Sequence, residues 1–124
     1  MTVRRRGISL GGETSDACVV VSSQPVPVVR FELADRSLSY LTTELRHWEL
    51  AHVGSGERLY VRAGAEGIVI TGQNLLPIRQ ALDLLRLQIV RLFVGRKAFA
   101  SGPIVEAIEI ERIRPARAAP LLLD

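Results

Sequence analysis

Cysteine, lysine and histidine are scarce in this chain of 124 residues, aromatic side chains make up only 5% of it, and long apolar runs are missing. The single cysteine, Cys18, cannot close an internal disulfide, which excludes a disulfide-stapled scaffold and fits a reducing compartment. Its neighbours Val19, Val20 and Val21 make an apolar setting, which disfavours a thiolate and so argues against a nucleophile. The longest apolar runs, Cys18 to Val21, Leu92 to Val94 and Leu121 to Leu123, fall far below the roughly 18 residues that a membrane span needs. The basic start Arg4-Arg5-Arg6 is not followed by the apolar stretch of a secretory signal, so the expected address is cytoplasmic. Lys97 is the only lysine among 16 basic residues, a bias that a GC-rich coding genome of bacterial type explains more simply than anion recognition.

Apolar residues account for 48% of the chain and charged residues for 23%, with a mean hydropathy of +0.21, a composition that folds rather than stays disordered. At 13.6 kDa there is room for one core and not two. The formal charge of +3 divides equally among residues 1–26, 27–112 and 113–124, so the part expected to be globular is almost neutral. That offers little of the concentrated positive field with which a nucleic-acid-binding domain displaces counterions.

Residues 1–26 read as a flexible N-terminal arm with a short edge strand over Ala17 to Val21, residues 27–113 as one globular α+β domain, and residues 114–124 as a tail broken by Pro115 and Pro120. Val29, Phe31 and Leu33 alternate with Arg30 and Glu32, and Leu38 and Tyr40 share a face beyond Ala34-Asp35-Arg36; together these predict a hairpin. Residues 44–51 fit either a strand, with Trp48 and Leu50 on the same side as Arg46 and with Leu45, His47 and Glu49 opposite, or a helix capped by Thr43. Gly54-Ser55-Gly56 and Gly64 to Gly67 are turn signals around a strand from Arg58 to Ala63, whose alternation puts Tyr60 and Arg62 outside, and Ile68-Val69-Ile70 is a further strand.

One helix is predicted over about 74–86, with Asn74 as N-cap, Pro77 in the first turn and an apolar stripe of Leu75, Ile78, Leu82 and Leu85. Residues 87–94 suit a helix or a buried strand, and their β-branched and aromatic content favours the strand. Ile104 to Ile113 is a final strand with Ile104, Ile108 and Ile110 inward and Glu109 and Glu111 outward. The expected fold is α+β, a mostly antiparallel sheet or half-open barrel of about six or seven strands with the helix on one face.

Chemistry is thinly represented. His47 and His52 are spaced so that neither a strand nor a helix converges both rings on one metal ion. His47 and Glu49 form the best acid–base pair for a small-molecule enzyme, against the plainer reading of a solvated strand face. The two glycine-rich turns lack the helix and the Gly-Lys-Ser/Thr ending of a phosphate loop. Thr71-Gly72-Gln73-Asn74 does run from strand into helix, so Gly72, Gln73 and Asn74 are an anion-binding candidate at a helix start. Arg4, Arg5, Arg6, Arg114 and Arg117 in the two tails are candidates for nucleic-acid or other polyanion contact.

No catalytic residue, metal site or cofactor is assigned. What remains is a surplus of apolar surface, because a chain of this size buries only about two thirds of what it exposes unfolded. The leading expectation is a non-enzymatic, self-associating interaction or accessory module. It would be a homodimer, or bind a protein partner, through Leu121 to Leu123 or the strand Ile89 to Val94, with polyanion binding as the alternative and no membrane partner.

Overall fold

The computed structural model describes residues 18–96 and 100–113. Within them the chain runs β1 (Val19–Val21), β2 (Val28–Glu32), β3 (Ser37–Leu41), a 3₁₀ turn (Thr42–Glu44), β4 (Leu45–Val53), β5 (Gly56–Ala63), β6 (Glu66–Gln73), α1 (Leu76–Asp83), β7 (Leu87–Arg91) and β8 (Ile104–Arg112). The class is α+β with sheet dominant and one α-helix among the described residues. The strands are divided between two four-stranded sheets, in the orders β1-β7-β2-β3 and β4-β5-β6-β8, and neither closes into a barrel. No helix among the described residues is long and apolar enough to cross a membrane.

The second sheet is a meander continued by β8. Both tight turns, Gly54-Ser55 and Gly64-Ala65, carry two residues between paired strands, with φ of +60° and +59° at the glycines. Positive φ at the first of two loop residues is what a type II′ hairpin needs, and only glycine adopts it without cost. The first sheet is assembled from distant pieces. Phe31 pairs with Val90 in parallel while Val19 pairs with Val90 in antiparallel, so β7 lies between β1 and β2. Of residues 87–94, Leu87–Arg91 form a strand, interior to its sheet, while Leu92 to Val94 follow outside it. The short strand expected in the N-terminal arm is the edge of this sheet.

One apolar cluster joins both sheets. Phe31 and Val90 from the first meet Leu59, Ile68 and Ile70 from the second, with Ile78 of the helix, all fully buried. Two bulges re-aim residues that strict alternation misassigns. Arg46 is the extra residue between the Leu45–Ala63 and His47–Arg62 pairs, so Leu45 turns inward beside Trp48 and Leu50 instead of outward with His47. Glu106 is the extra residue opposite the Thr71–Gly72 step, which lets Val105 enter the core. A Cβ on Gly72 would lie 1.9 Å from the Ile104 carbonyl oxygen, so this bulge closes only over glycine.

The helix is shorter than its pattern. It begins after Leu75, which takes the N-cap place assigned to Asn74, and makes no side-chain cap bond. Asn74 instead turns the chain at φ +57°, a left-handed conformation that asparagine tolerates better than most residues. At the other end the Arg86 amide donates to the Ala81 carbonyl and the Leu85 amide to the Leu82 carbonyl, a Schellman closure. It places Leu85 at φ +60°, outside the helix and 44% exposed, so the buried face is Ile78, Ala81 and Leu82 without Leu85.

Candidate functional site

Successive residues of a strand point to opposite faces, so the outer face of the second sheet follows from its register. Across β4, β5, β6 and β8 the rows are His47, Arg62, Gly67 and Glu111; then Glu49, Tyr60, Val69 and Glu109; then Ala51, Arg58, Thr71 and Ala107. Leu59, Val61, Ile68, Ile70 and Ile108 alternate with these and anchor the sheet to the core. Tyr60, expected outside with Arg62, is there and half-buried. Its ring lies across Gly67, where a Cβ would come within 2.7 Å of Cε1, so the glycine is the seat of the aromatic ring. A shallow cleft of about 290 Å³ lies beside it, lined by Glu49, Ala51, Arg58, Tyr60, Val69 and Glu111. An aromatic and an aliphatic side chain thus sit in the middle of a face that carries charges of both signs.

His47 and Glu49 share this face, with Nε2 to Oε2 at 2.7 Å. Their side chains are 57% and 64% exposed, and only Glu49 borders the cleft. His52 lies apart from that pair, its Nδ1 3.6 Å from Glu57 Oε2. Among the described residues, no group of three or more His, Cys, Asp or Glu side chains is placed to hold a metal ion.

The strand-to-helix corner at Gly72, Gln73 and Asn74 has a carboxylate of its own. Glu57 Oε1 accepts the Leu75 amide at 2.7 Å, and Leu75 is fully buried. One amide of that corner, that of the N-cap residue Leu75, is thus taken by a side chain of β5. The signal for Glu57 was present only as its place in a turn; nothing local pairs it with a residue eighteen positions on.

Cys18 is buried, and its thiol donates to the Pro103 carbonyl at 2.9 Å. Burial pushes the thiol pKa up, outweighing backbone hydrogen bonds and the Arg91 charge that act the other way, so the sulfur is held as a neutral thiol. A cavity of about 440 Å³ lies beside it, lined by Val19, Phe93, Val94, Arg96 and Pro103 among others. On the first sheet Glu32 bridges two arginines, Arg30 at 3.1 Å and Arg91 at 3.2 Å. Tyr40 ties the sheets together by donating to Glu66 at 2.6 Å.

Arg4, Arg5, Arg6, Arg114 and Arg117, together with Leu121 to Leu123, lie outside the described residues. The chain matches no protein-family model, no curated protein and no solved structure.

Proposed function

We propose that this chain is a non-enzymatic, self-associating interaction module, with a symmetric dimer as the simplest closed assembly. The observation that supports this is the apolar surface left in solvent. Among the described residues eight large apolar side chains stand between 39% and 74% exposed, and of these Val21, Val28 and Leu41 lie at the end of the first sheet that Leu84 and Leu85 adjoin. Backbone bonds from Ser22 to Arg86, Val26 to Leu85 and Thr42 to Pro27 hold that end together. Scattered exposed leucines are ordinary, whereas a grouped set on a small chain favours burial against another surface.

The same reading treats residues 27–113 as the globular unit, with an edge strand contributed by residues 19–21 and with cytoplasmic residence in keeping with the neutral, buried Cys18 thiol. Catalysis by His47 and Glu49 gains no support from a pair so open to solvent, since a general base works best in a site that excludes water.

Light scattering at rising concentration tests the proposal. The expected species has twice the 13.6 kDa chain mass, and its radius of gyration approaches about 18 Å rather than the about 14 Å of one compact chain. A 13.6 kDa particle at every concentration would overturn it.

A further inference from the structure

The apolar end of the first sheet lies where one terminal segment of the chain leaves the fold and far from where the other enters. Val28 and Leu41 are direct cross-strand partners there, and the Leu85 carbonyl adjoins them by accepting the Val26 amide. Leu84 is the most exposed of the group. Residues 1–17 enter at the opposite end, since the Cys18 carbonyl accepts the Arg91 amide and Arg91 pairs with Glu32, at the far end of β2 from Val28. Residues 114–124 leave on the near side. The Ile113 amide donates to the Ala65 carbonyl, the neighbouring Glu66 accepts the Tyr40 hydroxyl at 2.6 Å, and Leu41 follows Tyr40 in β3. That segment contains Leu121, Leu122 and Leu123, with Asp124 directly after them. Arg86, whose carbonyl accepts the Ser22 amide, belongs to the same end of the sheet, and its Nε has no hydrogen-bond partner among the described residues.

We propose that Leu121 to Leu123 of one copy dock on this end of the first sheet of a second copy, and that the exchange is reciprocal about a two-fold axis. Three consecutive leucines present apolar area to match what Val28, Leu41, Leu84 and Leu85 leave in water, and Asp124 brings a negative charge to the end that holds Arg86. The seven residues between Ile113 and Leu121 span up to ~23 Å when extended, enough to cross a contact between two subunits. Proline disfavours helical backbone in the residue before it, so Arg114 and Ala119, which precede Pro115 and Pro120, favour extension. Extension carries the segment off the sheet it leaves and toward a neighbour, whereas folding back on its own subunit needs a bend that those two residues resist. The N-terminal segment is the poorer occupant: it enters at the wrong end, and residues 1–17 nowhere place three apolar side chains together. The inference rests on the self-association reading and adds to it the segment, its seat and the exchange between copies.

Complementation between two variants tests it, with light scattering and sedimentation on the full chain. One variant carries Leu121→Ser, Leu122→Ser and Leu123→Ser, which removes the segment's apolar side chains; the other carries Leu41→Lys and Leu84→Lys, which spoils the seat. Leu41 and Leu84 are both more than half exposed, so circular dichroism of the seat variant should remain that of the wild type. Each variant alone should dimerise at least ~100-fold more weakly than the wild type, the loss expected when two or more leucines are no longer buried. An equimolar mixture should form a heterodimer held by one exchanged segment, weaker than the wild type and tighter than either variant alone, because intact leucines then meet an intact seat. A leucine variant that stays dimeric, a seat variant that stays dimeric, or a mixture that stays monomeric would overturn the exchange while a wild-type dimer kept self-association standing. A leucine variant that dimerises more tightly than the wild type would show the segment folded back on its own subunit and also overturn the exchange. A monomeric wild type would overturn both readings.

Discussion

The two sheets contribute to one core but are built by different means. In the second, β4, β5 and β6 are neighbours in the chain, joined by two-residue turns, and the pairing of each strand is set by its hairpin. In the first, β7 reaches back to pair with β1 and β2, across β4, β5, β6 and the helix. Local pairing costs little loop-closure entropy, whereas distant pairing must be repaid by burial. The first sheet, which has a register shift of its own between Val20 and Val21, therefore depends on its core side chains, and the second also on its tight turns. The outer faces differ too: Glu32 binds two arginines to itself on the first, while on the second Arg58 and Arg62 of β5 are separated by β6 from Glu109 and Glu111 of β8.

The sharpest way to break this contrast is Phe31→Ala. Phe31 is fully buried and meets the Tyr40 ring edge-on at 6.0 Å, so its loss should destabilise by about 4 kcal/mol. Hydrogen exchange should then show amides of β1, β2 and β7 opening before those of β5 and β6. Equal loss of protection in both sheets would mean that they unfold as one unit and that the contrast is not energetic.

Gly72→Ala strikes the second sheet where geometry rather than burial holds it. The new methyl would meet backbone at 1.9 Å, which the bulge cannot relieve by moving a side chain, and a loss of about 3 kcal/mol in denaturant unfolding is expected. A near-neutral result would show that the bulge is plastic. Glu57→Ala would leave the buried Leu75 amide without an acceptor and should cost about 2 kcal/mol, whereas Glu57→Gln, which keeps an oxygen there, should cost less. Equal costs for the two would remove the hydrogen bond from the account of the helix start.

Tyr40→Phe cuts the bond between the sheets and should lower stability by about 1 kcal/mol near neutral pH. Burial, followed by the Glu66 hydrogen bond and charge, raises the Tyr40 pKa above its ordinary 10.0. The folded state thus holds this proton more tightly than the unfolded chain. Its contribution is complete below pH 10.0 and is lost as pH rises from there through the folded value. Unfolding midpoints of wild type and Tyr40→Phe should accordingly converge above pH 10.0, and a constant gap would contradict the linkage.

The legibility of the chain follows the same division. Leu59, Val61 and Ile70 alternate with Arg58, Tyr60 and Arg62 or stand beside glycine turns, so the strands of the second sheet and the outward place of Tyr60 could be read directly. Leu45 and Val105 could not, because a bulge changes facing without changing composition. Asn74 had the chemistry of a cap but not its geometry, since Leu75 occupies that position and Glu57 satisfies its amide from another strand. On the candidate face, Tyr60, Arg62, His47, Glu49, Glu109 and Glu111 were each assignable to a strand surface, but not to the same one.

Sequence alone determined the class of fold, the strands with period-two alternation, the glycine turns and the lack of a converging histidine pair, because each depends on residues within a few positions of one another. Tertiary structure decided the division into two sheets, the interior place of β7, the inward turn of Leu45 and Val105 at their bulges and the order of β5, β6 and β8 that separates Arg58 and Arg62 from Glu109 and Glu111. Those features rest on contacts between residues far apart in the chain. Their entropy cost is met only by the shared core, which no local pattern encodes.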